Sequence, residues 1–364
     1  MDKVNRAISH LETLIGFDTR NGTGDEIACV NFLKTALNAH KPDQIICETV
    51  SRLRGKSDSG YVMASWGRPR ILLNVHIDTV PSGNGWNSDP LKLRQDGEHV
   101  IGLGAADIKG AAACILAALD EQAPKDVAIL FSGDEEHGSE VMPEVIKRGH
   151  SSEAPLAIIC EPTSCKVGRR HRGMLGFSFD FHGPGGHSSL ADHMTAPLGE
   201  AAELASALRD YGKAHLDVGT APYKGLCLNI GEMSCDGSYN VIPTRANLKM
   251  SLRPPPGDDI AAREVDIRKI ANDIVPEAPI DRLVSLLSFA TKNIADFDAY
   301  FGDEFEIIDL PFWTEAAMLS AAGKNAVVFG PGHIDQAHKP NEYVSRHDLA
   351  MAIPVYARAL SGHM

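Results

Sequence analysis

Residues Leu72–Val80 read LLNVHIDTV. Leu72, Leu73 and Val75 give the run the character of a buried strand, which His76 and Asp78 then interrupt two positions apart. Side chains alternate across a strand, so both polar groups are expected on one side at its carboxyl end. The pair by itself leaves two readings open. One is a metal ligand with its orienting carboxylate; the other is a polar turn where a strand meets a loop.

Neighbouring segments set the frame. YVMASW (61–66), RILLNV (70–75), DVAILFS (126–132) and PLAIIC (155–160) read as strands, and DIKGAAACILAALDEQ (107–122) and SEVMPEVIKRG (139–149) as helices. Such alternation predicts an α/β fold, with helices flanking a mostly parallel central sheet. Ligands of such sheets bind beyond the carboxyl ends of the strands. From residue 171 the character changes. MLGFSFDFHG alternates like a half-exposed antiparallel strand, a helix follows at 196–212, strands at 225–233 and 246–255, and a helix at 259–274. This order predicts an inserted α+β module. The domain reading is therefore 1–170 for the first part of a catalytic domain, 171–283 for the insert, and 284–364 for the second part. That last part holds FEIIDL, a helix at TEAAMLSAAG, the strand NAVVFG and a final helix whose Pro354 should kink or shorten it.

Composition narrows the classes. A chain of 364 residues can hold two or more domains, and 43% hydrophobic with 23% charged residues is ordinary for a soluble globular protein. The net charge of −13 argues against nucleic acid or an anionic membrane as partner. No apolar run approaches the roughly 20 residues that span a bilayer, and the N-terminal stretch has helical spacing at Val4, Ala7, Ile8, Leu11 and Ile15 rather than a signal-peptide layout. Seven cysteines without a CxxC pair fit reduced thiols. The cytoplasm is the expected location.

More acids and a histidine follow strands, as His76 does: Asp107, Glu135, Glu136, Glu161 and His338. Singly, each reads as a helix cap or a solvated charge. Together they would offer imidazole nitrogen and carboxylate oxygen to one rim, the donor set that Zn²⁺ takes. GLGAAD does not serve as a dinucleotide loop, because aspartate stands where GxGxxG needs glycine, and neither HExxH nor GxSxG occurs.

VHIDTVPSG, GLGAADIKGAAA, GDEEHGS, CEPT, GGHSS, LRPPPG, WTEA and GPGHIDQAHKPNEY follow one another along the chain. In these motifs and their order the sequence resembles the M20 family of co-catalytic zinc amidohydrolases and peptidases, within it the acetylornithine deacetylase branch. Its FWTEA-to-QAH tail is similar to that of the N-acetylcitrulline deacetylases. The resemblance implies a zinc-exopeptidase-like catalytic domain and an inserted lid and dimerisation domain with a four-stranded antiparallel sheet and two helices. It also implies two Zn²⁺ per subunit, with Co²⁺ or Mn²⁺ as substitutes. By the same resemblance His76, Asp107, Glu136, Glu161 and His338 would be the ligands, with Asp107 bridging. Asp78 would orient His76 through its other ring nitrogen. Glutamate at 161 goes with deacylases and carboxypeptidase-like members, aspartate with aminopeptidases.

Glu135 would be the general acid/base, taking a proton from water and returning it to the leaving amine. His187 would stabilise the oxyanion, and in dimeric relatives it reaches into the partner's site. Asn240 and Arg253 would hold the substrate carboxylate, and Glu315 would meet its polar side chain. The expected reaction is zinc-dependent deacetylation of an N-acetylated amino acid of arginine biosynthesis, N-acetyl-L-ornithine first. The alternatives are N-acetyl-L-citrulline, or another M20 activity such as succinyl-diaminopimelate desuccinylase or a dipeptidase. A catalytically silent metal-binding protein of the same fold and, more distantly, a nucleotide-binding oxidoreductase complete the rivals. The partners expected are a small N-acyl amino acid and a second copy of the chain through the lid.

Overall fold

The computed structural model describes residues 2–52, 57–276, 278–302 and 305–362. The chain divides into two units, Met1–Arg169 with Thr291–Leu310 and Thr314–Met364, and Arg170–Ala290 with Pro311–Trp313.

The first unit is built on an eight-stranded mixed sheet. Its strands lie in the order Gln44–Val50, Ser59–Trp66, Val127–Ser132, Ile71–His76, Leu156–Ile159, Asn325–Val328, Val167–Gly168 and Ile307–Ile308. Four neighbours at its centre, from Val127–Ser132 to Asn325–Val328, run parallel. Antiparallel pairing appears towards the edges, where Ser59–Trp66 joins Gln44–Val50 and Val127–Ser132. The central strands are buried on both faces, which is why they read as continuous apolar runs. Helix Lys3–Ile15 buries Ala7, Ile8, Leu11, Leu14 and Ile15, the stripe expected from 3.6-residue periodicity. Helix Lys109–Leu119 is buried along its whole length between that helix and Arg346–Leu360. Its run of alanines lets the helices pack closely. The last helix continues through Pro354 to Leu360, because Ile353, Val355 and Tyr356 bury against the core and offset the lost hydrogen bond. Among the described residues, no helix is long and apolar enough to cross a membrane.

The second unit is a four-stranded antiparallel sheet in the order Asn229–Cys235, Arg245–Leu252, Met174–His182 and Ile280–Leu286. Leu175, Phe177, Phe179 and Phe181 join Leu248 and Met250 in a core with Leu204 and Leu208 of helix Pro197–Ala214 and Ile267 of helix Ile260–Ile274. Asp259 caps the latter helix by accepting from Ala261 N and Ala262 N. Residue 283, read from sequence as a domain edge, falls inside strand Ile280–Leu286. That strand is largely exposed and lacks a clear apolar alternation; its place is set by backbone pairing to Met174–Phe179.

Candidate metal centre

The site grows from the carboxyl ends of the four parallel strands. His76 is the last residue of its strand and pairs in register with Ser132, so the segment Gly133–Ser139 leaves the sheet beside it. Asn74 pairs with Ile159, which puts Cys160 and Glu161 just past the next strand end. Beyond Val328 the chain runs on to His338. Asp107 precedes helix Lys109–Leu119, in a turn where Gly104 takes φ 78° and a Cβ would lie 2.9 Å from Thr79.

Two groups of side chains converge there and share one residue: His76, Asp107 and Glu161, and Asp107, Glu136 and His338. Asp107 Oδ1 lies 3.1 Å from His76 Nε2, and its Oδ2 lies 3.4 Å from His338 Nε2. One carboxylate thus turns an oxygen to each group. His76 Nε2 is 3.7 Å from Glu161 Oε2, and His338 Nε2 is 2.9 Å from Glu136 Oε1. His76, Asp107 and Glu161 are buried. Among the described residues the ion partners of Asp107, Glu136 and Glu161 are these two histidines, with no lysine or arginine among them. Three carboxylates and two imidazoles, buried at His76, Asp107 and Glu161 and opening to solvent at His338, with a shared acid between two groups, fit a pair of divalent cations. It is a poor arrangement otherwise, since like charges would crowd in a low dielectric.

The titration of the groups follows the same crowding. Burial and the charge of Glu161 push the Glu135 carboxyl well above its ordinary range, and burial lifts Glu136 to about 7. His338 rises to about 10 on its hydrogen bonds to Asp107 and Glu136. Burial works against an ionised Asp107, but the two histidines hold its carboxyl low all the same.

Asp78 is wholly buried and is placed differently from the expectation in one respect. The nearest acceptor to His76 Nδ1 is the Asp78 backbone oxygen at 3.1 Å; the carboxylate Oδ1 is 3.5 Å away, beyond the usual hydrogen-bond length. The strand ends at His76, so residue 78 lies in the turn and brings its main chain rather than its side chain closest to the ring. The carboxylate instead accepts the backbone N–H groups of Glu135 and Glu136, each at 3.0 Å, and Asn21 Nδ2 at 2.9 Å. Behind it Arg52 reaches Asp134 at 2.6 Å and Glu26 at 3.3 Å, all three buried. Gly133 is needed there, because a Cβ would fall 2.1 Å from Glu26 Oε2.

Glu315 is 1% exposed, with Ser132 Oγ donating to it at 3.1 Å and Ser139 Oγ at 3.4 Å; burial raises its carboxyl to about 7. His187, Asn240 and Arg253 lie in the second unit, all exposed. His187 pairs with Val241 across a two-residue ladder, and Ser188 N donates to Asn240 O at 3.2 Å, so these two loop residues are neighbours. Arg253 stands just past strand Arg245–Leu252, where Arg172 donates to its carbonyl at 2.9 Å. Sequence reading missed Asn21, Arg52, Glu26 and Asp134. A buried charge pair looks like any surface charge in a sequence, and only the adjacency of Asp134 to Glu135 could have drawn notice.

Residues 72–362 match Peptidase family M20/M25/M40, and the chain belongs to that family. Among curated relatives it is 32% identical over 370 residues to the N-acetyl-L-citrulline deacetylase of Xanthomonas campestris pv. campestris, covering 99% of both chains. It is 29% identical to the acetylornithine deacetylase of Myxococcus xanthus, over 86% of this chain and 84% of that one. Among solved structures, the M20 family metallo-carboxypeptidase Sso-CP2 from Sulfolobus solfataricus has the same fold, with a TM-score of 0.77 at 17% identity and 99% coverage of both chains.

Proposed function

We propose that the protein is a metal-dependent amidohydrolase that removes the acetyl group from an N-acetylated amino acid of arginine biosynthesis. The observation that carries this is Asp107, one carboxylate shared between a His76–Glu161 group and a Glu136–His338 group, with Glu135 beside both. His76, Asp107 and Glu161 would hold one divalent cation, and Asp107, Glu136 and His338 the other; zinc is the first choice, and cobalt or manganese suit the same donors. Such ions supply Lewis acidity toward an amide carbonyl and lower the pKa of water. Glu135 then takes a proton from the attacking water and returns it to the amine nitrogen as the amide C–N bond breaks, leaving acetate and the free amino acid. Asp78 holds the two backbone N–H groups of Glu135 and Glu136, so base and ligand keep their separate directions.

His187 would donate to the oxyanion and Arg253 with Asn240 would bind the substrate carboxylate, for which a guanidinium fork is suited. A homodimer through the second unit and a cytoplasmic location complete the reading. N-acetyl-L-ornithine is the substrate expected from the sequence. N-acetyl-L-citrulline is the second reading, favoured by the relative that matches along 99% of both chains. Steady-state turnover of the two substrates, with metal-stripped protein as control, tests the proposal. No hydrolysis of either in the presence of Zn²⁺ or Co²⁺ overturns it and leaves another M20 activity or a silent metal-binding protein.

A further inference from the structure

The tail motif GPGHIDQAHKPNEY supplies His338, yet its Glu342 has no part in the chemistry above. Glu342 is 2% exposed. Its Oε2 accepts Gly104 N at 3.0 Å, and its Oε1 accepts Ala106 N at 2.9 Å and Asp107 N at 3.0 Å. Its own carbonyl accepts Gly102 N at 3.0 Å. One side chain therefore closes the whole turn that ends in Asp107. The carboxylate that does so stands four residues after His338, whose backbone takes φ 61°, an uncommon conformation for a residue with a Cβ. Asn341 beside it has φ 61° as well and is tied down by accepting Asn87 N at 2.9 Å. The short segment 338–342 thus contributes one side chain to the site and grips the backbone of another.

We propose that Glu342 is a positioning residue that sets the Asp107 carboxylate against His338 so that both cation positions are formed. This rests on the metal centre proposed above. A cap that merely satisfied buried N–H groups could come from anywhere in the fold. Here one of the three donors is the N–H of the shared acid itself, and the acceptor is carried by the segment that brings His338. A shift of the turn would rotate Asp107 and change what its two oxygens reach, on both sides at once. The isosteric Glu342→Gln replaces one acceptor oxygen with an NH₂ group that faces an N–H, so the turn cannot be held at both ends.

The test is calorimetric titration of metal-free full-length wild type and Glu342→Gln with Zn²⁺, together with the absorption spectrum of the Co²⁺-loaded forms and the Tm of the metal-free forms. Wild type is expected to bind two ions. The variant is expected to bind at least one of them 10- to 100-fold more weakly, the usual effect of losing an outer partner of a ligand, and to show altered Co²⁺ bands. Two ions bound at wild-type affinity with an unchanged Co²⁺ spectrum overturn the inference, whatever the fall in Tm, because a purely structural cap would move Tm alone. Should the Gln variant not fold, Glu342→Asp, which keeps both acceptor oxygens on a shorter stem, is read against the same two outcomes. Failure of wild type to bind any ion overturns the metal centre itself and is seen without any variant.

Discussion

The carboxylate of Asp78 spans the backbone N–H groups of Glu135 and Glu136, taking one on each oxygen at 3.0 Å. The sequence suggests an extended pair, but Glu135 and Glu136 stand in the turn that follows strand Val127–Ser132, and a single buried acid beneath them ties down the backbone of both. Asp78→Asn keeps the shape but leaves one of those N–H groups opposite an NH₂. We expect kcat to fall 10- to 100-fold with KM little changed, and stability to fall by about 1–3 kcal/mol. Steady-state kinetics and denaturant unfolding check this; a wild-type kcat would show that the contact does not orient the base.

The two glutamates should separate cleanly by variant. Glu135→Gln is expected to keep two bound ions and lose activity by a factor on the order of 10²–10⁴, the usual worth of a general acid/base. Glu136→Gln is expected to lose an ion. Metal content by elemental analysis beside turnover decides it, and the opposite pattern would exchange the two roles.

Removal of the cations should cost stability as well as activity. The five proposed ligands come from distant parts of the chain, so each ion that binds only the folded state would add about 2.7 kcal/mol when free metal is a hundredfold above Kd. Chelator-treated protein is expected to be inactive with a lower Tm, and added Zn²⁺, Co²⁺ or Mn²⁺ to restore both. A Tm indifferent to the chelator would count against the site.

Glu315 gives a pH test. Burial raises its carboxyl from the ordinary 4.5 to about 7, so the folded state holds that proton more tightly than the unfolded chain does. Its stabilising contribution is full below about 4.5 and is lost as pH rises through 7, at most about 3 kcal/mol. In metal-free protein, Tm of wild type should fall relative to Glu315→Gln between pH 5 and 8; parallel profiles would refute the assignment. The same variant assayed on acetylornithine and acetylcitrulline shows whether this enclosed carboxylate also senses the substrate side chain.

Local sequence was enough for those elements whose burial leaves a pattern. Continuous apolar runs announced the central strands, and the spacing of Ala7, Ile8, Leu11 and Ile15 announced the first helix, because faces turned from water must be apolar at the period of the backbone. Exposed edge strands such as Ile280–Leu286 leave no such pattern, and pairing alone places them. The motifs named the acids and histidines that gather at the site, since each follows a strand or opens a helix in a known type of fold. What the tertiary structure alone decided is how they are held. Asp78, beside the imidazole, takes the backbone of Glu135 and Glu136, and Glu342 reaches from the chain's last quarter to close the turn at Asp107. Those bonds join main-chain groups that every residue carries, so no side-chain pattern records them; they exist only once folding has brought distant segments within 3 Å.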